Sequence, residues 1–441
     1  MCDLSMWIGV DDTDSSNGMC TTYLALEIID SIGLDLISYP RLVRLNPNIP
    51  WKTRGNAAIA MKFGKGYGEK IKVGEFRGKD IFMFKNGRDY GNEHDVFEKV
   101  KKIVEKFSIM DEEKTSPGIV VTRSKLPEKL YWKGVRSVLA LNYVENFLKN
   151  SVYFGYKTRR GIIGAACAIA WKPKFRTYEL LAYLDTNRWT MERFVDKDSV
   201  IEMDKRIKTT FENYDYINDH VAIKPETKTP VLFGIRGTDP EDLEDARKIV
   251  KSDPYIGYLI FETNQGSDDH LVRKKISQIN PYDSVIIKGK VCENPRIIQG
   301  GHVIFKLCDE SGSIDCAAYE NTKEFRDIIK KLRNGDLVEI YGSIKKYPGT
   351  INIEKIKILK LREIREKIIP ICPNCGIKME SAGKNKGYRC RKCGYKTNKV
   401  DYKILDRGIS EGFYEVPIIA RRHLSKPLIF FNNRHNIGNP V

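Results

Sequence analysis

The sequence has no apolar run of the roughly 18 to 20 residues that a membrane-spanning helix needs. Its first residues include Asp3 and Asp11, and they lack the basic region and apolar core of a secretory signal. We therefore expect a cytoplasmic protein without a membrane partner, and nothing in the sequence indicates an obligate protein partner. A chain of 441 residues is too long for one compact core, so we expect roughly three or four domains.

The glycine-rich motifs of the common nucleotide-binding folds are also missing. Neither Gly-x-x-x-x-Gly-Lys-Ser/Thr nor Gly-x-Gly-x-x-Gly occurs, so any use of ATP would not depend on a P-loop. The six histidines are scattered along the chain and show no metal-ligand spacing. A histidine metal centre is therefore not expected.

Ten cysteines are present, but their spacing does not indicate a disulfide framework. Six of them are scattered and are expected to be reduced, as in an intracellular protein: Cys2, Cys20, Cys167, Cys292, Cys308 and Cys316. The other four form two Cys-x-x-Cys pairs, each followed by glycine: Cys372, Cys375, Cys390 and Cys393. Two such pairs supply the four thiolates of a closed tetrahedral site, which predicts a structural Zn²⁺. An iron–sulfur centre or a redox pair is the alternative.

A formal charge of +17 and a pI of about 9.2 favour a polyanionic partner such as a nucleic acid. The excess is concentrated near the C-terminus, where the chain from Lys360 onward holds 18 Lys or Arg against 7 Asp or Glu. A soluble basic protein with no such partner is the simpler alternative.

The most informative motif lies at the N-terminus, where a short apolar strand leads into Asp11, Asp12 and Asp14. Small residues follow, and a helix with Thr21 and Thr22 in its first turn comes next. Clustered carboxylates favour Mg²⁺, and a helix start favours a phosphate, so the motif predicts a metal and phosphate site. An acidic turn capped by Ser or Thr is the alternative.

A second candidate segment is the loop at residues 46–56, which contains two prolines. Four residues of this loop, Lys52, Arg54, Gly55 and Asn56, are candidate contacts for nucleotide phosphate. A solvated loop without ligands would have the same composition.

The remaining pattern suggests mixed α/β structure to about residue 115 and an α+β segment to about residue 280. Apolar runs at residues 161–171, 178–184, 231–235 and 257–261 are expected to alternate with helices such as residues 240–251. The loops after the last two runs, residues 234–241 and 262–270, are candidate ligand contacts. Capping turns would look the same.

From about residue 283 the pattern changes to five short strands, with one helix near residues 322–332 before the fourth strand. This pattern predicts an OB β-barrel, a fold that binds single strands through basic and aromatic side chains.

Several motifs together resemble the archaeal 2-agmatinylcytidine synthetase family. They are Val10-Asp-Asp-Thr-Asp-Ser-Ser, Gly18-Met-Cys-Thr-Thr-Tyr, residues 44–56, Gly234-Ile-Arg-Gly-Thr, Thr263-Asn-Gln-Gly and Arg421-Arg-His-Leu-Ser-Lys-Pro-Leu. The resemblance covers nearly the whole chain. It implies a multidomain α+β protein: a kinase-like catalytic domain (residues 1–115), a ferredoxin-like domain (116–280), an OB barrel (281–362), and a zinc ribbon with a basic tail (363–441).

The resemblance also implies a function, the ATP-dependent joining of agmatine to carbon 2 of the wobble cytidine in the minor isoleucine tRNA with a CAU anticodon. The modified base would then pair with adenine. By the same resemblance, Asp11, Asp12 and Asp14 would bind Mg²⁺ and nucleotide phosphate, and Thr21 matches the threonine that becomes phosphorylated. The sequence does not locate the agmatine pocket, for which Asp268 with Asp269 or Asp239 with Glu241 are conceivable.

Two other interpretations stay open at this stage. A non-catalytic OB and zinc-ribbon protein that binds single-stranded nucleic acid would explain residues 283–400 equally well, but it gives the Asp11 to Thr22 motif no role. An ATP-dependent enzyme acting on another amine or another RNA base would keep that motif.

Overall fold

The computed structural model of the protein describes residues 5–346, 349–384 and 386–431. Cys2 and Asp3 therefore lie outside the described residues. None of the described helices combines the length and the hydropathy that crossing a bilayer requires.

One large sheet contains the strands of both N-terminal segments. Its strands up to residue 155 are β1 (Met6–Asp11), β2 (Asp35–Leu36), β3 (Arg41–Arg44), β4 (Ala57–Phe76), β5 (Lys79–Arg88), β6 (Gly118–Thr122) and β7 (Val152–Gly155). The helices of this part are α1 (Thr21–Ile32), α2 (Glu93–Phe107), α3 (Lys129–Arg136), α4 (Leu141–Glu145) and α5 (Gly161–Ala170). The first strand and the first helix lie where the sequence pattern predicted them.

The following segment adds three strands to this sheet. Its elements are β8 (Thr177–Tyr183), α6 (Lys197–Arg206), β9 (Tyr214–Asp215), β10 (His220–Val221), β11 (Val231–Gly237), α7 (Pro240–Ile249) and β12 (Gly257–Thr263). Strand β12 pairs antiparallel with β8 on one side and parallel with β3 on the other, which completes a ten-stranded sheet. The two segments are thus joined by backbone hydrogen bonds.

Two sequence-based expectations differ from this arrangement. Residues 118–122, expected to open the second domain, form β6 and pair antiparallel with β1. The apolar run at residues 161–171, which we grouped with strands, is helix α5. Nine of its ten residues are buried, so it shows no amphipathic period. Its glycines and alanines let it pack directly on β1, where a Cβ on Gly9 would lie 2.5 Å from the Ala165 carbonyl oxygen.

Side chains alternate between two cores across the sheet. Ile59 and Met61 of β4 pack with α1 and α2 on one face, and Ala58 and Ala60 pack with α3 and α5 on the other. Helices α6 and α7 cover β8, β11 and β12 with a further core. The end of β1 therefore lies between layers of helices, which is where the acidic motif begins.

The next segment is a closed barrel. Its elements are β13 (Val272–Arg273), β14 (Ser284–Ile298), β15 (His302–Asp309), β16 (Gly312–Ala318), α8 (Phe325–Lys330), β17 (Leu337–Ile344) and β18 (Thr350–Lys360). Strands β14, β15, β16, β18 and β17 pair in that order, and β17 returns to β14. The predicted five strands, the single helix before the fourth strand and the OB barrel are confirmed.

The zinc ribbon projects from this barrel on a two-stranded stalk. The elements are β19 (Arg365–Ile368), β20 (Glu380–Ser381), β21 (Tyr388–Arg389), β22 (Lys396–Thr397), β23 (Asp401–Ile404) and β24 (Gly412–Glu415). Strands β19 and β23 form the antiparallel stalk, and β24 returns to pair with β18 of the barrel. Residues 416–431 then run back toward the large sheet, and Arg422 reaches Asn48.

Cys292 and Cys308 form a disulfide, although we expected both as reduced thiols. The antiparallel pairing of β14 and β15 brings their Cα atoms to 6.0 Å although they are 16 residues apart in sequence. Strand pairing, and not cysteine spacing, decides this contact.

We predict that reduction of this disulfide lowers the thermal stability of the barrel. A cross-link closing a loop of this size contributes about 3 kcal/mol in the chain-entropy model. Melting with and without a phosphine reductant, with zinc present, measures the effect. The Cys292→Ser/Cys308→Ser variant is the control and should not respond. Unchanged melting of the reduced wild type, with its thiols titrated as free, would contradict the prediction.

Candidate active site

Strand β1 delivers Asp11 to a position directly under helix α5. A Cβ built on Gly164 would lie 1.7 Å from Asp11 Oδ2, so only glycine leaves room for this carboxyl group. Burial and the neighbouring charge of Asp12 raise the pKa of Asp11 well above its usual range. A nearby cation would favour the ionised carboxylate and so lower the pKa of Asp11.

Asp12 follows in a backbone conformation that is rare for a residue with a side chain. Its φ of 58° lies in the left-handed region, which turns the chain sharply at the strand end. Its Oδ2 accepts a 2.6 Å hydrogen bond from Nε of Arg160, the residue preceding α5. Burial raises the pKa of Asp12 to about 7, although Arg160 opposes the shift.

Asp14 faces the start of helix α1. Its Oδ1 accepts hydrogen bonds from the backbone N–H of Thr21 at 2.6 Å and from the Thr21 hydroxyl at 2.8 Å. The Thr13 hydroxyl donates to Thr21 Oγ1 at 3.0 Å. The Cys20 side chain makes no capping bond, so Asp14 takes the capping role from seven residues upstream. An aspartate, and not the Ser or Thr of the alternative interpretation, therefore caps this helix start, and the same contact places a carboxylate against a hydroxyl.

The loop at residues 46–56 folds over this motif. Arg54 lies 3.2 Å from Asp14 Oδ2 and donates to the carbonyl oxygens of Ser15 and Met19. Lys52 donates to the Pro47 carbonyl oxygen, and burial lowers its pKa to about 8. These side chains are partly buried and hydrogen-bonded, so the loop is not a freely solvated one.

Two cavities open on the motif. The smaller, about 70 Å³, is called here the Asp12 cavity and is lined by Asp11, Asp12, Leu45, Asn46, Ile49, Trp51, Lys52, Asn56, Gly134, Ser137, Val138, Leu139, Arg160, Ile163 and Gly164. The larger, about 270 Å³, is called the Thr21 cavity. Its polar lining includes Asp14, Cys20, Thr21, Thr22, Arg44, Arg54, Glu179, Glu226, Arg236 and His423, and Gly55 also lines it.

The structure therefore divides the predicted site residues between two spaces. Asp11, Asp12, Lys52 and Asn56 line the Asp12 cavity. Asp14, Thr21, Arg54 and Gly55 line the Thr21 cavity. The acidic motif and the loop at residues 46–56 thus each contribute residues to both cavities. The order of these residues in the sequence did not indicate this division.

The three aspartates do not converge on one point. We looked for groups of three or more His, Cys, Asp or Glu whose ligand atoms lie close enough to share a metal. Within residues 5–346, 349–384 and 386–431 there is one such group, the cysteine cluster. Asp11 and Asp12 nevertheless share a cavity, and the charge of Asp12 raises the proton affinity of Asp11. One or two carboxylates with water and phosphate oxygens suffice for Mg²⁺, so this pair fits the ion.

Sequence reasoning missed several lining residues. Arg160 and Trp51 belong to the Asp12 cavity, and Arg44, Glu179 and His423 belong to the Thr21 cavity. Arg44 and His423 stand in motifs that carried the family resemblance, which was the available signal. Arg160 precedes helix α5 and Glu179 lies on β8, and long-range packing and pairing place these two elements, so no local pattern identified either residue.

The two predicted ligand loops have different roles. Arg236 of residues 234–241 lines the Thr21 cavity, as a ligand contact would. In residues 262–270, Asn264 accepts from the Arg44 backbone N–H at 2.8 Å and donates to the Arg44 carbonyl oxygen at 2.9 Å, which fixes the end of β3.

Three of the four carboxylates considered for agmatine make other contacts, and the fourth, Glu241, lies in the first turn of helix α7 and does not line either cavity. Asp268 pairs with buried Lys355 at 2.8 Å, and Asp269 accepts from the Tyr131 hydroxyl at 2.6 Å. Asp239 caps helix α7. None of these three belongs to the described lining of either cavity.

The four ribbon cysteines form a compact cluster. The sulfur atoms of Cys372, Cys375, Cys390 and Cys393 all lie within 4.8 Å of one another. Each pair forms the same turn, in which the N–H of Gly376 or Gly394 donates to the carbonyl oxygen of the first cysteine. Both glycines have positive φ, 67° and 75°, which the turn requires. Four thiols at this spacing fit a closed Zn²⁺ site without a position for substrate.

The contact of Gly164 with Asp11 gives a stability prediction. Gly164→Ala should destabilise the protein by about 1–3 kcal/mol, because the new methyl group overlaps Asp11. Asp11→Ala in the same chain should recover most of that loss, because the overlapping group is gone. Denaturant unfolding of the two single variants and the double variant measures the coupling. Strictly additive effects would contradict the proposed contact.

Zinc removal gives a second prediction. The purified protein should hold one Zn²⁺ per chain, and Cys390→Ser should lose it, because a closed four-sulfur site requires all its ligands. Elemental analysis measures the metal, and limited proteolysis measures unfolding of the ribbon. Cys316→Ser, at a buried cysteine of the barrel, is the control and should retain zinc. A full zinc complement in Cys390→Ser would overturn the assignment.

Family models match four consecutive parts of the chain. The TiaS TCKD domain matches residues 7–160, and the TiaS FLD domain matches residues 159–270. An OB-fold nucleic acid binding domain matches residues 285–359, and the TiaS C-terminal zinc ribbon domain matches residues 369–409. The predicted four-part order is confirmed. The first match extends well beyond residue 115, and the other domain borders stay predictions.

Known proteins are similar over the whole length. The isoleucine tRNA 2-agmatinylcytidine synthetase TiaS of Archaeoglobus fulgidus is 41% identical, covering 97% of this chain and 98% of that protein. The crystal structure of TiaS with its isoleucine tRNA and ATP has a TM-score of 0.84 and 38% identity, covering 99% of this chain and 100% of that one. The complex of TiaS with the same tRNA, AMPCPP and agmatine has a TM-score of 0.81 and 36% identity, with the same coverage. The chain therefore belongs to the TiaS family of tRNA 2-agmatinylcytidine synthetases, as its motifs implied.

Proposed function

We propose that this protein is an ATP-dependent ligase that joins agmatine to carbon 2 of the wobble cytidine in the minor isoleucine tRNA. The product base would pair with adenine, so the tRNA would read AUA. Membership of the family supports this reaction, as do the relatives solved with their isoleucine tRNA and ATP, and with that tRNA, AMPCPP and agmatine.

The single observation that supports the chemistry most directly is the contact between Thr21 and Asp14. The Thr21 hydroxyl donates to the Asp14 carboxylate at 2.8 Å inside the Thr21 cavity. If a phosphoryl group is transferred from ATP to Thr21 Oγ1, the departing hydroxyl proton can pass to Asp14. The positive charge of Arg54, 3.2 Å from Asp14, lies where phosphate oxygens would gather.

The neighbouring residues would bind the nucleotide. Asp11 and Asp12 would hold Mg²⁺, which neutralises phosphate charge when it is bound. Lys52 and Asn56 on one side of the loop and Arg54 and Gly55 on the other would contact phosphates. This arrangement spans both cavities, because the loop presents successive residues to each of them.

The reaction requires an activated cytosine. If the phosphoryl group taken from ATP passes from Thr21 Oγ1 to the oxygen on carbon 2, the bond from phosphorus to Oγ1 breaks, the threonine hydroxyl is restored, and the cytosine oxygen becomes a leaving group. The agmatine amine then forms the bond from nitrogen to carbon 2, the bond from carbon 2 to oxygen breaks, and inorganic phosphate leaves with the electron pair. The amine nitrogen gives up a proton to solvent in the same exchange. A base in an anticodon loop is already accessible, so its extrusion costs only about a few kcal/mol.

The OB barrel and the basic ribbon suit the tRNA. A non-catalytic nucleic-acid-binding protein would need only these two parts. That function would leave the Thr21 and Asp14 pair and the two cavities beside it without a role. We therefore favour the enzyme.

The Thr21 hydroxyl gives the decisive prediction. Mass spectrometry of a CAU-anticodon isoleucine tRNA, incubated with protein, ATP, Mg²⁺ and agmatine, should show an agmatine-sized gain on the wobble cytidine. Thr21→Ala should lower the product by at least about a thousandfold, as loss of a nucleophile does. Thr22→Ala is the matched control, because the Thr22 hydroxyl contacts Cys20 and not Asp14.

Retained tRNA binding by Thr21→Ala, measured by gel shift, would show that the loss is chemical. Full activity of Thr21→Ala would exclude the phosphothreonine step. No product with wild type, while tRNA binds, would favour a binding protein or another amine.

A further inference from the structure

The loop at residues 46–56 connects β3 to β4 and supplies residues to both cavities. Its base is closed by the Leu45 N–H, which donates to the Asn56 carbonyl oxygen at 2.9 Å. Between these ends, Trp51 and Lys52 line the Asp12 cavity, and the chain then reaches the Thr21 cavity. The position of the loop therefore sets the shape of both cavities.

The two halves of this loop are held in different ways. The second half is fixed to the acidic motif, because Arg54 pairs with Asp14 at 3.2 Å. In the part of the chain that the structure describes, the first half, residues 46–52, makes hydrogen bonds to the rest of the protein through Asn46 and Asn48 alone. These two asparagines are therefore its polar anchors.

The side-chain amide of Asn48 is bound from two sides. Its Nδ2 donates to the Asp283 carbonyl oxygen and the Ser284 hydroxyl, both at 2.9 Å, and to the Tyr282 carbonyl oxygen at 3.2 Å. Its Oδ1 accepts from Arg422 Nη1 at 2.7 Å. We call these contacts the Asn48 clamp. Both polar atoms of the amide are engaged, one by the start of the barrel and one by the segment after the ribbon.

The barrel side of the clamp is itself fixed. The Asp283 carbonyl oxygen also accepts from the Ile344 N–H at 2.8 Å, and Ser284 begins β14, which pairs with β17. Tyr282 has a φ of 67°, in the left-handed region that a bulky side chain disfavours. The turn thus keeps a costly conformation where it contacts the loop, and the barrel holds it there.

Arg422 is held by the barrel as well. Its Nε lies 3.4 Å from Glu354 of β18, a buried carboxylate that also contacts Nε2 of buried His270 at 3.1 Å. Burial opposes ionisation of Glu354, but the charge of Arg422 and the contact with His270 lower its pKa to about 2. The carboxylate is therefore ionised at neutral pH, and Arg422 connects the Asn48 amide to a second strand of the barrel.

We propose that Asn48 is a positioning residue, which holds the loop at residues 46–56 in its nucleotide-binding position from the OB barrel. The inference rests on the proposed ATP-dependent function, in which Lys52 and Arg54 contact phosphate. Asn48 is absent from the described lining of both cavities, so it acts through the loop. Without the clamp, the loop would occupy its binding position for only part of the time, and the apparent affinity for nucleotide would fall by that fraction.

Two substitutions test the clamp. Asn48→Asp changes the shape little: the carboxylate can still accept from Arg422, but it has no hydrogen to donate to the barrel oxygens. Asn48→Ala removes both contacts. Asn334→Ala is the matched control, because the Asn334 amide donates at 2.9 Å to the Cys292 carbonyl oxygen within the barrel.

Calorimetry on the full zinc-loaded protein should show AMPCPP binding about tenfold weaker in both Asn48 variants, and within about threefold of wild type in Asn334→Ala. Affinity for the isoleucine tRNA, measured by gel shift, should stay within about threefold in all three variants, because none of them changes a basic residue. In the tRNA modification assay, the KM for ATP should rise about tenfold while kcat stays within about threefold, because saturating nucleotide restores the loop.

A merely structural role would give another result, since lost folded protein lowers kcat and leaves the KM for ATP unchanged. Wild-type AMPCPP affinity in Asn48→Ala overturns the inference, and so does an equal loss in Asn334→Ala. A loss in Asn48→Ala that is absent in Asn48→Asp also overturns it, because the barrel contact would then be unnecessary. If Asn48→Ala does not fold, Asn48→Asp decides by the same measurements.

These outcomes are separable from those of the proposed reaction. AMPCPP binding that weakens in both Asn48 variants, without agmatine transfer by wild type, would sustain the positioning role and reject the reaction. Agmatine transfer by wild type, with unchanged AMPCPP affinity in both variants, would do the reverse.

Discussion

The arrangement of the candidate site depends on the two-sided pairing of strand β12. It joins β8 by antiparallel pairing and β3 by parallel pairing, so strands from two parts of the chain become one sheet. This pairing brings Glu179 to 3.3 Å from Arg44 and to 3.8 Å from Arg236 in the lining of the Thr21 cavity. Neither segment alone could build the cavity, because its walls come from both.

Burial then decides the state of the charged groups around β1. Asp11 sits against the glycine face of α5, Asp12 is held by Arg160, and Asp14 is held by Thr21 and Arg54. The three carboxylates still repel one another, since the charges of Asp12 and Asp14 raise the pKa of Asp11, but each carboxylate has a different neighbour. In the proposed reaction, this arrangement would give a cation a place beside Asp11 and Asp12 and would leave Asp14 to act on the Thr21 hydroxyl.

The segment after the zinc ribbon connects the RNA-binding modules to the catalytic part. Strand β24 extends the barrel through β18, and the chain then passes over buried Lys355, which donates to Asp268 at 2.8 Å and to the Lys426 carbonyl oxygen at 2.7 Å. A few residues before Lys426, His423 reaches the Thr21 cavity. The ribbon is thus an insertion whose return path completes the wall of the site.

Local signals in the sequence identified much of this protein. Period-two strands and cysteine spacing predicted the barrel and the ribbon, since both patterns arise between residues close in sequence. The acidic strand end and the helix start predicted Asp11, Asp12, Asp14 and Thr21 as site residues, and nearly all of these features also carried the family resemblance. Helix α5 was misread because a helix buried on every side has no amphipathic period.

The sequence by itself determined the order of the four domains and the family. It also indicated the residues at the end of β1 and the start of α1 that line the two cavities. Only the tertiary structure decided that these residues divide between two cavities, that Arg160 and Glu179 join them, and that Cys292 meets Cys308. The reason is physical: each of these contacts joins residues brought together by strand pairing or helix packing. Their distance in space is set by the whole sheet or barrel and leaves no periodic trace in the chain.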